Sequence, residues 1–382
     1  MSDFYSWVPQ VLPMGGGFVG AKRCIDLGSG AEQLQLFRLT AAGQVATVLP
    51  LDHAGPGVMD RLGRFQLPAA AHYPSLLLAA SGSPALRGRF TAASEQVQRA
   101  APQGIFSVVS LGEVIWALEG DPYQAEVTQR LHRLDLRDPD RLQLQSVPLQ
   151  ALNLTPKRRI TALAGFGGQL HVAVSDPLAG FDLFRIDSSG PQAGFQPVLH
   201  NGAQRFALNA MVSAMAICGD QLLLGTAALA SDKGPVGQWG PELLALDAGG
   251  SWDLVIGQPR FTADGLRFPG SGLLPGLGRL DNAAIRAIAC GAVADGVLTC
   301  IAVQDFVGPP VEDRRRLAPD LLNYAGATRL YASQDLEDWY AVAVTLPPAS
   351  GAVTSLAVSG TGILIGHEGL SPDEIPVTFV PH

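Results

Sequence analysis

Charge is scarce in this chain: 16% of its 382 residues are Asp, Glu, Lys or Arg, and aromatic residues make up 7%. Acidic residues outnumber basic ones, 34 against 26, and the one dense basic cluster, Arg314 to Arg316, follows Glu312 and Asp313. A net charge of −8 with no basic surface run argues against a nucleic-acid partner, because phosphate binding needs concentrated positive charge. No uninterrupted apolar stretch reaches the roughly 18 residues that a membrane-spanning helix requires, so no membrane span is expected. The opening MSDFYSWVPQVLP has no basic start followed by an apolar run. No signal peptide is therefore read in this chain and a cytoplasmic location is expected, secretion after processing being the alternative. The four cysteines, Cys24, Cys218, Cys290 and Cys300, show no C-x-x-C spacing and lie mostly in apolar runs. Buried thiols are expected, with a Cys290–Cys300 disulfide across a hairpin turn at Asp295-Gly296 as the minor alternative.

What the chain does have is glycine (44), proline (28) and repetition. The phrase GGQLHVAVSD from Gly167 returns as GDQLLLGTAA from Gly219 and GTGILIGHEG from Gly360. Each copy is a glycine turn, an apolar run alternating large and small residues, and a stop at small or acidic residues. Another apolar run precedes each one, RRITALAG, AMVSAMAI and AVTSLAVS, and two further copies begin at Gly104 and Ala284. Strands apolar on both faces belong between layers. A more amphipathic pair follows each hairpin, as in FDLFRIDSSG and ELLALDAGGSWDLVIG, fitting outer strands with one wet face.

Four strands every 40 to 60 residues is the period of a β-propeller blade. We predict an all-β fold, one domain over residues 1–382, with seven blades at about 11–55, 56–102, 103–150, 151–203, 204–260, 261–347 and 348 onward; six or eight are the alternatives. The last unit runs out of chain after three strands. The N-terminal strand is expected to supply its missing outer strand and so close the ring.

Two turns carry a resemblance. SQDLEDW, Ser333 to Trp339, resembles the Asp box of sialidase-like and other β-propellers, with Glu337 in place of the glycine and Trp339 one residue early. AGGSWDLV, Ala248 to Val255, is a similar turn followed by Trp. The Asp box is structural, so it implies architecture and not sialidase activity. WDLVIGQPRFTADGLRFPGSGLLPGLGRLDNAAIRAIA is similar to the long connection in propellers of some bacterial secreted and specialised-metabolism proteins. The named example is the propeller half of cylindrocyclophane-type alkylating enzymes. That passage covers about a tenth of the chain, and the calcium-binding repeats that accompany that propeller are absent here.

Three stretches exceed a normal turn: 227–241, 258–283 and 306–326. On the predicted topology they crowd one face over neighbouring blades, and long loops are uncommon unless functional. The ends of second strands bring Glu119, Asp121, Asp176, Asp305, His367 and Glu368 toward that face, and the starts of first strands bring Arg158, Arg159, Asn209, Asn282 and Arg286. Such groups can orient a polar ligand, supply a base or hold a cation; they can equally satisfy loop backbone. Trp239, Phe261, Phe268, Phe306 and Tyr324 could wall an apolar pocket or simply anchor their loops. Arg286 with Asp305 is the preferred acid/base pair and Tyr324 a hydrogen-bond donor, the three candidate catalytic residues. The remaining ligand-binding candidates are Arg159, Asp176, Asn209, Trp239, Phe261, Phe268, Asn282, Phe306, His367 and Glu368.

The seven histidines show no close pairing, which argues against zinc. Ca²⁺ in the axial channel is the one cofactor considered, and no Asp-x-Asp-x-Asp-Gly loop argues for it. The expected function is binding of a small, partly apolar molecule at one channel mouth, with an enzyme of bacterial specialised metabolism as its catalytic form. The alternative is a non-catalytic scaffold that binds a protein partner through the same face; a lectin ranks third, because exposed aromatics do not recur once per blade.

Overall fold

A strand that is apolar on both faces must be covered on both, and a second strand between two blades is covered by them. The computed structural model describes residues 4–14, 17–26, 32–50, 105–111, 114–120, 128–135, 144–187, 194–227, 240–279, 282–304, 328–346 and 353–382. Blade A comprises β1 (Phe4–Met14), β2 (Gly17–Asp26), β3 (Glu32–Thr40) and β4 (Val45–Pro50). Blade B comprises β5 (Ile105–Leu111), β6 (Val114–Glu119), β7 (Arg130–Asp135) and β8 (Leu144–Val147), and blade C β9 (Arg159–Phe166), β10 (Gln169–Ser175), β11 (Asp182–Asp187) and β12 (Phe195–Leu199). Blade D is β13 (Met211–Cys218), β14 (Gln221–Ala227), β15 (Leu243–Asp247) and β16 (Trp252–Ile256), followed by a small hairpin, β17 (Arg260–Thr262) and β18 (Gly265–Arg267). Blade E is β19 (Ala284–Val293), β20 (Gly296–Gln304), β21 (Thr328–Ser333) and β22 (Tyr340–Val342); blade F has three strands, β23 (Val353–Ser359), β24 (Gly362–Gly369) and β25 (Val377–Pro381).

Within each blade, consecutive strands pair antiparallel. The first strands pack side by side around an axis, β5 on β9, β9 on β13, β13 on β19, β19 on β23 and β23 on β1. The second strands β6, β10, β14, β20 and β24 are buried nearly throughout, and the core is divided into layers between blades. Phe181, Leu183 and Phe166 of the C region meet Leu222, Leu224, Leu244 and Trp252 of blade D, and Leu356, Ile363 and Ile365 of blade F meet Cys300, Ala302 and Leu330 of blade E. This is a β-propeller. The predicted second blade, 56–102, lies outside the described residues, so the count of seven rests on that stretch.

The N-terminal strand does close onto the last blade, but by a different route from the predicted one. β1 is the innermost strand of blade A, paired along its length with β2, and meets β24 only at Ser6 with Gly369 and Trp7 with Glu368. Blade F keeps three strands, with β25 paired to β24. The sequence of β1 is apolar enough for either position. Its register with GFVGAKRCID makes it an inner strand.

A bulge recurs in every described blade. The inner strand has one residue more than its partner beside Val8 and Pro9 in A, at Phe106 in B, Thr161 in C, Ser213 in D, Arg286 in E and Thr354 in F. Bulges re-aim side chains, and here the hydroxyls are aimed at the next blade. Thr161 Oγ1 donates to the Val212 carbonyl (2.9 Å), Ser213 Oγ to that of Ile285 (2.7 Å) and Thr354 Oγ1 to that of Val8 (2.7 Å). Opposite the residue after the bulge, the second strand is small: Ala173, Gly225, Ala302 and Gly366. A methyl group on Gly225 would stand 2.6 Å from Ile285 of the next blade, and one on Gly366 would collide with Ser355 and Val8. The alternation of large and small residues in LLLGTA and ILIGHEG is thus a blade-packing requirement.

The turn at Ser333–Trp339 works as its resemblance implied. Asp335 Oδ1 accepts the backbone N–H groups of Glu337 and Asp338 (2.9 Å each), Ser333 Oγ accepts that of Leu336, and Trp339 Nε1 donates to the Leu336 carbonyl. The cysteines depart from expectation. Cys218 and Cys290 form a disulfide between the inner strands of blades D and E, with Cα atoms 5.3 Å apart, while Cys24 and Cys300 are buried and take no part in it. Buried thiols were expected for all four, and the alternative hairpin pair does not form because Cys290 lies opposite Thr299, not Cys300.

Two predictions follow from this packing. The disulfide spans a separation of 72 residues, a loop for which chain entropy sets about 4 kcal/mol and typical disulfides deliver about 2–4 kcal/mol; Cys218→Ser, or reduction of the native protein, should lower the unfolding free energy by about 2–4 kcal/mol in urea titrations. His171, buried on β10, has its pKa pushed down to about 4, chiefly by burial, with the Arg185 charge adding to it. The folded state therefore binds fewer protons than the unfolded chain between about pH 6.5 and 4. Stability should fall through that window and level off below it, by on the order of 3 kcal/mol in total. His171→Leu should flatten that slope in melts at pH 7 and pH 4.5.

Candidate functional site

The inner strands of blades A, B, D, E and F surround a cavity of about 500 Å³ along the axis. Because the bulge recurs at one place in each blade, it sets a common level from which the wall can be followed along the strands. At the bulge stand Ser213 and Arg286; one step on are Ser107, Ala214, Ala287 and Ser355. The next three steps bring Val11, Met215, Ile288 and Leu356, then Leu12, Ala216, Ala289 and Ala357, then Pro13, Ile217, Cys290 and Val358. The wall is polar at the end where the inner strands begin and apolar beyond it, over about 10 Å at the strand rise per residue.

Arg286 is the only charged residue among the described residues of this wall. It occupies the bulge position where blades C, D and F have Thr or Ser. Among the described residues, no hydrogen bond or ion pair engages its half-buried guanidinium. The neighbouring hydroxyls are committed: Ser213 donates to Ile285 and Ser355 donates to the Val8 carbonyl at 2.7 Å. Of the predicted acid/base group, Arg286 is therefore at the cavity, and its expected partners Asp305 and Tyr324 lie outside the described residues, as do Trp239, Phe306 and Asp121.

The other charged and amide candidates are placed in the joints between strands, where the protein itself occupies them. Asn209 is fully buried; its Nδ2 donates to Glu242 Oε2 (2.6 Å) and the Gly202 carbonyl, and its Oδ1 accepts from Thr226 and Arg205. Glu242, also fully buried, holds Arg260 Nη1 at 2.9 Å and Arg205 Nε at 3.5 Å and accepts the Gln258 N–H. Asn282 repeats the device one blade on, donating to the Gly276 carbonyl and accepting from Arg329. Arg158 bridges Asp176 and Asp182. Partial burial opposes ionisation of Asp176, yet the N–H groups of Ala179 and Leu178, followed by Arg158, hold its carboxyl below the ordinary carboxylate range.

Arg159 and Glu368 are buried at strand ends. His367 is buried, with Nδ1 at the Glu368 carbonyl and Nε2 at Thr378, and burial lowers its pKa. Glu119 is likewise enclosed by His132 and Arg130. Among the described residues no three His, Cys, Asp or Glu side chains are grouped to share a metal ion.

Phe261 and Phe268 stand away from the axis. The β17–β18 hairpin lies against the outermost strand of blade D: Arg267 donates to the Trp252 carbonyl and stacks 4.9 Å over its ring, and Gly270 and Ser271 donate backbone N–H groups to Leu254 and Val255. The long connection covers the blade's outer edge, as an exposed strand edge requires. Its aromatics face solvent, Phe261 80% and Phe268 64% exposed. The serines of the cavity were absent from the candidates. Their signal is the alignment of ITALAG, VSAMAI, IRAIAC and VTSLAV, in which one column reads Thr, Ser, Arg, Thr.

No known family model matches the chain, and no curated protein does. Several solved structures are similar to it. The β-propeller domain of the Trilobed protease from Pyrococcus furiosus shares 6% identity at a TM-score of 0.36, covering 99% of this chain and 86% of that one. The acylaminoacyl peptidase of Pyrococcus horikoshii shares 8% at 0.46, covering 98% of this chain and 51% of that one, so the chain spans about half of the peptidase's length. SapL1 lectin in complex with α-methyl fucoside shares 8% at 0.42, covering 98% and 95%. These likenesses concern fold alone and lend nothing to the narrower resemblance to alkylating-enzyme propellers.

The buried cluster at blade D yields a prediction. Glu242→Gln leaves two guanidinium groups without their shared countercharge and should cost about 3–5 kcal/mol of stability, measured by denaturant unfolding. An unchanged stability would mean that the carboxylate is not serving the fold.

Proposed function

We propose that this β-propeller binds a small, partly apolar molecule inside the axial cavity. The observation that carries this is the cavity itself: about 500 Å³, walled by inner strands whose side chains there are mostly apolar, which is the size of a small-molecule site. The Cys218–Cys290 disulfide supports an oxidising compartment over the cytoplasm, where such bonds are rare.

A second reading has its own observation. Phe261, Leu266 and Phe268 form an exposed apolar group on the blade D rim, and such groups favour a protein partner. One experiment separates the two. The fluorescence of 1-anilinonaphthalene-8-sulfonate should rise on binding the native protein, and Ala216→Trp, which fills the cavity, should abolish the rise while Phe261→Ser/Phe268→Ser leaves it intact. The reverse pattern would assign apolar binding to the rim and defeat the cavity reading.

A further inference from the structure

We infer that the ligand of the axial cavity is a monoanionic amphiphile, its carboxylate or sulfate head held by Arg286 and its aliphatic tail directed along the axis. This rests on the cavity reading above and names the chemistry that fits it. The first ground is the arrangement of donors. Arg286 is the only charged residue on the described wall, it stands at the polar end, and no group among the described residues pairs with it. A guanidinium facing an apolar cavity without a partner lacks the compensation that burial of charge demands, and a bidentate oxyanion supplies it.

The second ground is the hydroxyls. Ser213 and Ser355 have given their protons to the Ile285 and Val8 carbonyls, so they offer the ligand no competing donor, and Ser107 is the one remaining hydroxyl among the described lining residues. The third ground is charge balance. One guanidinium neutralises one negative charge, whereas a dianionic phosphate would bring a surplus charge into a wall whose next three levels hold no polar oxygen or nitrogen in their side chains. Those levels run from Val11, Met215, Ile288 and Leu356 to Pro13, Ile217, Cys290 and Val358. They suit methylene groups, which gain by leaving water.

The fourth ground is the exception in the repeat. The Thr or Ser found at this position in blades C, D and F ties its blade to the next. Blade E gives that bond up for Arg286. The substitution frees a cation toward the axis where the pattern has a structural hydroxyl.

The test is calorimetric titration of the native, oxidised full chain with decanoate, decyl sulfate, decan-1-ol and decylamine below their aggregation concentrations. Decanoate and decyl sulfate should bind at least tenfold more tightly than decan-1-ol, and decylamine more weakly still. Arg286→Gln should erase the difference between acid and alcohol without loss of alcohol binding, Arg286→Lys should restore part of it, and Ala216→Trp should block all four. Equal affinity for decanoate and decan-1-ol in the native protein would overturn the anionic head and leave the cavity reading standing. Binding of none of the four would overturn both. Decanoate binding that is indifferent to Arg286→Gln and to Ala216→Trp would place the amphiphile elsewhere and also overturn the proposal.

Discussion

Everything in this fold depends on how one blade is fastened to the next. A blade is a small twisted sheet that cannot bury its two faces alone, so the joint between blades is the unit of stability. Here the joint has three parts in a fixed order along the chain: a bulged residue whose hydroxyl reaches the neighbouring backbone, a small residue on the second strand that lets the neighbour approach, and an apolar layer below. Thr161 with Ala173 and the Phe166 layer, and Ser213 with Gly225 and the Ile285 layer, are two instances. The spacing between these parts is fixed by strand pairing, so a shift of one residue would send the hydroxyl into the core and the apolar side chains to the axis.

Blade E breaks the pattern and is secured by other means. Its inner strand is tied to blade D by the Cys218–Cys290 disulfide. On its other side Gly291 lies against the backbone of Val358, an approach that any side chain at 291 would prevent. With covalent attachment on one flank and backbone contact on the other, the bulge position of blade E no longer has to serve as a fastener. Arg286 can stand there without cost to the ring, and functional sites are where local rules are broken and offset elsewhere.

Much of this was legible in the sequence, for a physical reason. Strands buried on both faces read as continuous apolar runs, and the glycine turns before them are sharp, so GGQLHVAVSD and its copies marked five second strands and the blade period with them. The Asp-box turn was legible because its side chains bond only to their own backbone. The site was less so. Asn209, Asn282, Asp176 and Glu119 are the residue types that build polar sites, and they also build buried joints; only Glu242, Arg205 and Arg260, far along the chain, reveal which role Asn209 has. Phe261 and Phe268 were assigned to the axis because a long connection between blades can run inward or outward. The backbone bonds of Gly270 and Ser271 to β16 decide it, and such long-range pairing leaves no local trace. The disulfide was hidden in the same way, since Cys218 and Cys290 lie on different blades.

Arg286 was a candidate as one half of a pair with Asp305, which lies outside the described residues, and its position has a second argument in the repeat itself. When inner strands are aligned by their bulges, the variation at one column separates residues that hold the ring together from the residue that does not. A ring of similar strands directs each bulged side chain to an equivalent place, so a change of chemistry in one blade makes the channel asymmetric without altering its shape. The asymmetry matters for recognition. A channel lined alike on all sides could hold an apolar molecule but could not orient it, whereas one cation at one level would fix both the direction of an anionic ligand along the axis and the side on which its head lies.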